Sequence, residues 1–169
     1  MKKNIVITGG LGYIGSELCK IYSGESWNNQ ITVIDNRFFA ERVNQLRNWN
    51  INFVHGDILD GKLIKDYCQD ADVVHHLAGI TEVPRTKSES NSDNDSKIKL
   101  VAEEGTQNIL DAISQKCKII LPSTHVVYEG IKQVKNNILE NDQTSPVLSY
   151  AKSKDFNEKQ LKNSGKNYI

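Results

Sequence analysis

The feature that most constrains the fold is a glycine turn near the start of the chain. An apolar run at residues 5–8 leads into Gly9, Gly12 and Gly15, and residues with helical periodicity follow. Glycines at this spacing, between a strand and a helix, are typical of a turn that binds a pyrophosphate. Gly9 allows a tight turn, Gly12 lets the backbone approach the phosphates, and Gly15 lets the helix pack closely on the strand. The sequence therefore predicts a dinucleotide site at this turn.

The rest of the chain alternates apolar runs with helix-like stretches. The runs mostly lack apolar/polar alternation, which is typical of parallel strands that are covered on both faces. Such a series predicts an α/β fold, a doubly wound parallel sheet, and 169 residues suit one domain spanning residues 1–169. The predicted strands span residues 5–8, 31–35, 51–55, 73–78 and 118–123, and the predicted helices span residues 13–22, 40–49, 61–68, 98–115 and 149–163. The polar stretch 86–97 is predicted to be a solvated loop.

The second predicted strand ends in a carboxylate, Asp35, twenty residues after Gly15. A carboxylate at this place can accept hydrogen bonds from both hydroxyls of an adenosine ribose, and it repels a 2′-phosphate. The sequence therefore favours NAD over NADP as the cofactor. Arg37, two residues further on, is expected to soften this preference.

Seven short motifs follow one another along the chain. They are TGGLGYIG at 8–15, VIDN at 33–36, HGDILD at 55–60, VVHHLAG at 73–79, EGTQNIL at 104–110, LPSTHVVYEG at 121–130 and SYAKSK at 149–154. In this order they resemble the extended short-chain dehydrogenase/reductase family, the NAD-dependent sugar-nucleotide epimerases and dehydratases. The resemblance implies a Rossmann-like fold in which the cofactor contacts Gly9, Gly12, Tyr13, Ile14, Gly15, Asp35, Asn36, Asp57, Ile58, Leu77, Ala78, Gly79, Ser123, Tyr150 and Lys154.

The last motif carries the predicted catalytic pair. Tyr150 and Lys154 are four residues apart on a predicted helix, so they share one face. A free tyrosine has a pKa of about 10, and a nearby cation such as Lys154 favours the phenolate. The resemblance implies that Tyr150 removes a proton from a sugar hydroxyl while hydride passes to the nicotinamide. It also implies that Thr124, with Ser123 beside it, holds the same sugar oxygen.

The resemblance also bears on the reaction. The 4,6-dehydratases of the family place an Asp-Glu pair just after the threonine, where this chain has His125 and Val126. Val126 also argues against the UDP-glucuronate decarboxylases. The resemblance therefore favours a 4-epimerase of a UDP-sugar, or a related reductase or epimerase. Pro122, Ala102 and Glu129 depart from the family pattern and indicate a divergent member.

Composition excludes several other classes of function. Lysine plus arginine equals aspartate plus glutamate, 21 of each, so no basic field indicates nucleic acid. The apolar runs are too short to span a membrane, and the N-terminus does not resemble a secretory signal. We expect a cytoplasmic protein with reduced thiols at Cys19, Cys68 and Cys117. We expect no metal at His75 and His76, because neighbours on a strand face opposite sides.

Length leaves the function open. Members of the family are considerably longer, so we expect a chain without the C-terminal substrate-binding region. The sheet edge beside the fifth strand is expected to lie uncovered and to favour a homodimer. The main hypothesis is an NAD-dependent sugar-nucleotide epimerase, present as its cofactor-binding portion. The alternatives are a non-catalytic dinucleotide-binding module, a truncated inactive homologue, and an NADP-dependent reductase, against which Asp35 argues.

Overall fold

A single parallel sheet organises the computed structural model, which describes residues 2–25, 27–81, 92–132 and 137–169. Within these residues the sheet has six strands in the order β3-β2-β1-β4-β5-β6. The predicted doubly wound parallel sheet is therefore confirmed. The strands are β1 (Asn4–Thr8), β2 (Gln30–Asp35), β3 (Asn52–His55), β4 (Val73–His76), β5 (Lys118–Ile120) and β6 (Asn167–Tyr168).

Helices connect the strands and cover both faces of the sheet. They are α1 (Tyr13–Ser23), α2 (Ala40–Asn48), α3 (Gly61–Cys68), α4 (Ser92–Leu100), α5 (Thr106–Ala112) and α6 (Ser149–Asn163). A π-helical segment, Val101–Gly105, joins α4 to α5, and a short 3-10 helix, His125–Tyr128, follows β5. Among the described helices, none is both long enough and apolar enough to cross a membrane.

The core consists of two apolar layers, one on each face of the sheet. Alternate residues of β1 face opposite sides, so Ile5 and Ile7 join one layer and Val6 joins the other. The first layer includes Cys19 of α1 and Val43 of α2, and the second layer is built largely on α3 and α5. The glycine turn therefore rests on a central strand that is held from both faces.

Three predicted boundaries are wrong in the second half of the chain, one of them that of the strand predicted at 118–123, which ends at Ile120. The loop predicted at 86–97 ends early because α4 begins at Ser92, whereas residues 86–91 lie outside the described residues. Acidic residues in the first turn of α4, Asp93 and Asp95, suit the positive end of a helix. The helix predicted to reach residue 115 ends at Ala112, since Ile113 is extended.

The prediction of an uncovered edge beside β5 is also wrong. Asn167 and Tyr168 of β6 pair in parallel with Lys118 and Ile119 of β5. The turn that makes this possible contains Gly165, whose φ of +66° is costly for residues with a side chain. The last residues therefore bring a sixth strand to this edge.

The three cysteines are unpaired and buried, which agrees with the predicted free thiols. Burial raises the pKa of Cys19 and of Cys68 to about 12, and that of Cys117 to about 11. The thiols therefore stay protonated at neutral pH and act as small apolar side chains of the core.

Candidate functional site

The site lies where the strand order reverses. Chain connections leave β1 and β4 in opposite directions, and parallel sheets bind ligands in the crevice at the carboxyl ends of such strands. A cavity of about 730 Å³ opens at this place, and every residue of the predicted cofactor set lines it. Seven further residues line the cavity that were not predicted as cofactor contacts, all of them within the motifs or a few residues from one: Ile34, Arg37, Gly56, Ile80, Thr81, Val101 and Pro122.

The glycine turn is built by close backbone contacts. Gly9 has a φ of +71°, and a Cβ there would lie 2.7 Å from the backbone nitrogen of Ala78. A Cβ on Gly15 would lie 2.5 Å from the carbonyl oxygen of Gly9 and 2.6 Å from the Cα of Gly10. Gly15 therefore lets the first turn of α1 pack against the glycine turn itself, rather than against the strand as expected.

The amino end of α1 faces the cavity. The helix begins at Tyr13 after the N-cap Gly12, and no side chain of the described residues caps it. The first N–H groups of a helix have no partner within the helix, and they carry its positive end. Because Tyr13, Ile14 and Gly15 all line the cavity, this end can accept an anion such as a pyrophosphate.

Asp35 ends β2 beside this turn, and its carboxylate is almost completely buried. Its Oδ2 accepts a hydrogen bond from the backbone N–H of Leu11 at 2.9 Å. Its Oδ1 accepts from the backbone N–H of Arg37 at 3.0 Å and from the Arg37 Nε at 3.2 Å. Asp35 thus ties the glycine turn to β2 while still lining the cavity.

Next to it, Asn36 donates from Nδ2 to Oδ2 of Asp57 at 2.9 Å. The other carboxylate oxygen of Asp57 accepts from the backbone N–H of Leu59 at 3.0 Å. This pair joins the end of β2 to the segment after β3. Asn36 and Asp57, two of the predicted cofactor contacts, therefore lie side by side at the cavity.

The side chains of the two histidines of β4 point to opposite faces of the sheet, as predicted. His75 Nε2 lies 2.8 Å from the hydroxyl of Tyr22 in α1. His76 lies between Thr8 Oγ1, at 3.0 Å, and Thr106 Oγ1, at 2.9 Å. Burial, with a smaller effect from the charge of Lys154, lowers the pKa of His76 to about 3. The described residues contain no cluster of three or more metal-ligating side chains.

Helix α6 closes the cavity on the other side and carries Tyr150 and Lys154. The Lys154 Nζ lies 6.0 Å from the centre of the Tyr150 ring and donates to the carbonyl oxygen of Pro122 at 3.0 Å. Burial lowers the pKa of Lys154, and the charge of Glu158 acts in the opposite direction. The predicted pair therefore faces the same cavity as the glycine turn, more than 130 residues earlier in the chain.

The amino end of α6 is held by Glu129, one of the departures from the family pattern. Its Oε1 accepts from the backbone N–H of Val147 at 2.8 Å and from that of Leu148, the N-cap of α6, at 2.6 Å. Sequence reasoning missed this contact, because eighteen or more residues separate Glu129 from its partners.

Thr124, the third predicted catalytic residue, is not placed at the cavity with Tyr150 and Lys154. Thr124 caps the 3-10 helix, where its Oγ1 accepts from the backbone N–H of Val126 at 3.4 Å. It is not among the residues that line the described cavity, whereas Ser123 is. The Ser123 hydroxyl donates to Oε1 of Glu158. A catalytic role for Thr124 stays a prediction.

Comparisons with known proteins agree with this architecture. A model of the 3-beta hydroxysteroid dehydrogenase/isomerase family matches residues 6–169. The UDP-N-acetyl-alpha-D-glucosaminuronate decarboxylase of Bacillus cytotoxicus is 34% identical over 132 residues, which are 76% of this chain and 38% of that protein.

Solved structures extend the likeness over nearly the whole chain. The Bordetella bronchiseptica enzyme WbmH, in complex with NAD+, is 26% identical with a TM-score of 0.80, and the match covers 98% of this chain and 53% of that one. The UDP-glucose 4-epimerase of Brucella ovis, in complex with NAD, is also 26% identical, with a TM-score of 0.76 and coverage of 98% and 50%. This chain thus spans about half the length of these two structures.

Proposed function

Because this chain belongs to the 3-beta hydroxysteroid dehydrogenase/isomerase family, we propose that its cavity binds NAD. The observation that carries the proposal is the convergence of the predicted cofactor residues on one cavity. The backbone cradle at Gly9 and Gly15, which a Cβ would fill, fits the close approach of a pyrophosphate. Two relatives of known structure carry NAD in the same fold.

The buried carboxylate of Asp35 supports NAD over NADP. A 2′-phosphate on the ribose would bring a second negative charge to this carboxylate. Arg37 offsets part of that charge, because its Nε lies 3.2 Å from Oδ1 of Asp35. The preference for NAD therefore depends on the balance between these two side chains.

The proposed reaction is that of a nucleotide-sugar epimerase, of which this chain supplies the cofactor-binding portion. The names of the Bacillus and Brucella relatives both specify a UDP-linked sugar, which supports that substrate class. NAD, when bound, supplies the acceptor for hydride from the sugar. Tyr150 takes the proton from the sugar hydroxyl, and the ammonium of Lys154 favours the phenolate that this step needs.

The second candidate is a dinucleotide-binding module without turnover. The position of Thr124 favours it, because that residue caps a 3-10 helix instead of lining the described cavity. Without Thr124 to hold the sugar oxygen, proton transfer to Tyr150 loses part of its alignment. A homodimer and a cytoplasmic location stay predictions of the sequence.

Calorimetric titration of the purified chain with NAD+, NADH and NADP+ tests the proposal, with and without UDP-glucose. We expect NAD+ to bind at micromolar concentration and NADP+ to bind more weakly. A heat response to UDP-glucose in the presence of NAD+ supports the epimerase over the binding module, whereas a response to NAD+ without one to UDP-glucose is expected of a cofactor-binding portion and of a binding module alike. No response to any dinucleotide overturns both candidates.

A further inference from the structure

We propose that Glu158 is a positioning residue for the Tyr150–Lys154 pair. It holds the chain segment after β5 against α6, and it keeps a negative charge beside the ammonium of Lys154. This inference deepens the proposed function and rests on it, because the pair has a task only beside a bound nicotinamide. The sequence motifs do not include Glu158.

The spacing along α6 places Glu158 on the face that carries the pair. Tyr150, Lys154 and Glu158 follow one another at intervals of four residues, so they lie one above another on the helix. Lys154 is half-buried, and Glu158 is also only partly exposed. This face of α6 therefore presents a phenol, an ammonium and a carboxylate in that order, and the first two line the cavity.

Two hydrogen bonds join this face to the segment that follows β5. The Lys154 Nζ donates to the carbonyl oxygen of Pro122 at 3.0 Å, and the Ser123 hydroxyl donates to Oε1 of Glu158. Two consecutive residues of the segment are thus bound by two consecutive turns of the helix. Pro122 and Ser123 line the same cavity as the pair, so these two hydrogen bonds hold one part of the cavity lining against α6.

The charges around Lys154 indicate why a carboxylate is useful here. The Tyr150 ring faces the ammonium from the same helix, and buried His76 faces it from β4. His76 is neutral at physiological pH, because its pKa is about 3. Burial lowers the pKa of Lys154 and the Glu158 charge raises it, so Glu158 helps Lys154 stay a cation.

The other carboxylate of the same helix provides a matched control. Asp155 is adjacent to Lys154 in sequence but faces elsewhere, where Lys159 Nζ lies 2.5 Å from Oδ2. Thr144 donates to Oδ1 of Asp155 at 2.6 Å. Asp155→Asn therefore removes one negative charge from α6 and leaves the hydrogen bonds of Lys154 to Pro122 and of Ser123 to Glu158 intact.

The experiment measures the protonation of Lys154 in the full chain. Trace acylation with acetic anhydride over a range of pH, followed by peptide mass spectrometry, reports the midpoint at which Lys154 becomes reactive. We expect Glu158→Gln to move this midpoint to lower pH, with labelling at a fixed pH rising roughly tenfold for each unit of the shift. Asp155→Asn should leave the midpoint close to that of the parent chain.

A second pair of variants separates the charge from the hydrogen bond. Ser123→Ala keeps the charge and removes the donor, so we expect the parent midpoint and weaker NAD+ binding in calorimetry. Glu158→Asp keeps the charge on a shorter side chain and should bring the midpoint back towards the parent value. This variant also decides the question if Glu158→Gln does not fold.

The inference is overturned if Glu158→Gln and Asp155→Asn give the same midpoint, or if Glu158→Asp behaves like Glu158→Gln. It is equally overturned if Ser123→Ala binds NAD+ as the parent chain does. Failure of the parent chain to bind NAD+ is a different result: it removes the proposed function, while the acylation midpoints still decide whether Glu158 controls Lys154.

Discussion

Arg37 reaches back over two residues to the carboxylate of Asp35, with its Nε 3.2 Å from Oδ1 and its Nη2 3.4 Å from Oδ2. The two partners differ sharply in exposure, because the side chain of Arg37 is 52% exposed and that of Asp35 only 3%. An arginine so exposed is bound weakly, since surface ion pairs contribute at most about 1 kcal/mol. Ribose hydroxyls can therefore compete for Asp35, and Arg37 remains available for a phosphate.

Asp35→Asn should weaken NAD+ binding much more than NADP+ binding. The amide keeps an acceptor for the N–H of Leu11, so the turn survives, but the acceptor for one ribose hydroxyl is lost. We expect NAD+ affinity to fall roughly tenfold, as for a hydrogen bond to a charged group. Calorimetry with both dinucleotides measures the ratio, and an equal loss of both would refute the ribose role.

Arg37→Ala should act in the opposite sense on cofactor choice. We expect NAD+ affinity to change by less than about fivefold, since an exposed pair contributes little. NADP+ binding should become weaker still, because the cation nearest to the 2′-phosphate is removed. An increase in NADP+ affinity in the same titration would contradict this role of Arg37.

Gly15→Ala should destabilise the fold and abolish dinucleotide binding. A Cβ at this position lies 2.5 Å from the carbonyl oxygen of Gly9, so the turn and α1 must move apart. We expect a loss of about 1–3 kcal/mol in the free energy of unfolding, as for other overpacked sites.

Gly24→Ala is the matched control for that substitution. Gly24 has a helical φ of −68°, and its Cβ would find only the carbonyl oxygen of Ile21, at 3.9 Å. This variant should be as stable as the parent or slightly more stable. Urea unfolding of both variants measures the difference, and equal effects would mean that the close contact at Gly15 is unimportant.

His76 should make the protein less stable as the pH falls. The pKa of His76 is about 3 in the folded chain and near 6.5 in the unfolded chain. Above pH 6.5 neither state binds the proton, so the contribution of His76 to stability is fully present. Below pH 6.5 only the unfolded chain binds it. The free energy of unfolding then falls by up to ~1.4 kcal/mol per pH unit until the pH approaches 3.

Unfolding of His76→Asn between pH 7 and pH 5 tests this expectation. The variant should be less stable at pH 7, because the contacts to Thr8 and Thr106 are lost, but its stability should vary less with pH. Some pH dependence of the free energy of unfolding remains in this variant, because burial also lowers the pKa of His75. His125→Gln, which changes an exposed histidine, is the control and should keep the parent slope.

Glu129→Ala should loosen the start of α6. The carboxylate accepts from the N–H groups of Val147 and Leu148, so its loss resembles the loss of a helix cap, about 0.5–2 kcal/mol. Hydrogen exchange should quicken at residues 147–150. Glu140→Ala, at an exposed glutamate of the same connection, should leave this exchange unchanged, and an equal effect of both variants would count against the contact.

Local patterns predicted the sheet, and they picked out residues that line one cavity, because both depend on neighbours in the chain. Parallel strands appear as unbroken apolar runs, and the predicted bounds of α3 and α6 match the structure. The helix α4 escaped prediction, since its residues are mostly polar and show little apolar periodicity. The strand β6 escaped because two residues carry no recognisable pattern.

Contacts between distant residues could not be predicted in this way. Asn157 donates from Nδ2 to Thr106 Oγ1 at 2.9 Å, and Thr106 meets His76, so a buried polar chain links α6 to β4. Its two links join residues that are 51 and 30 positions apart, and no local pattern indicates that these residues meet. Ser123 and Glu158 likewise meet only because β5 and α6 are adjacent in the fold.

The sequence by itself determined the chemistry that this chain offers: a glycine turn, a carboxylate at the end of β2, and a tyrosine and a lysine on one helical face. These depend on short-range spacing, which the period of a strand or a helix converts directly into geometry. Tertiary structure alone decided which side chains meet. After β5 the backbone enters a 3-10 helix that Thr124 caps, so Ser123 lines the cavity, and α6 lies close enough for Glu158 to bind it.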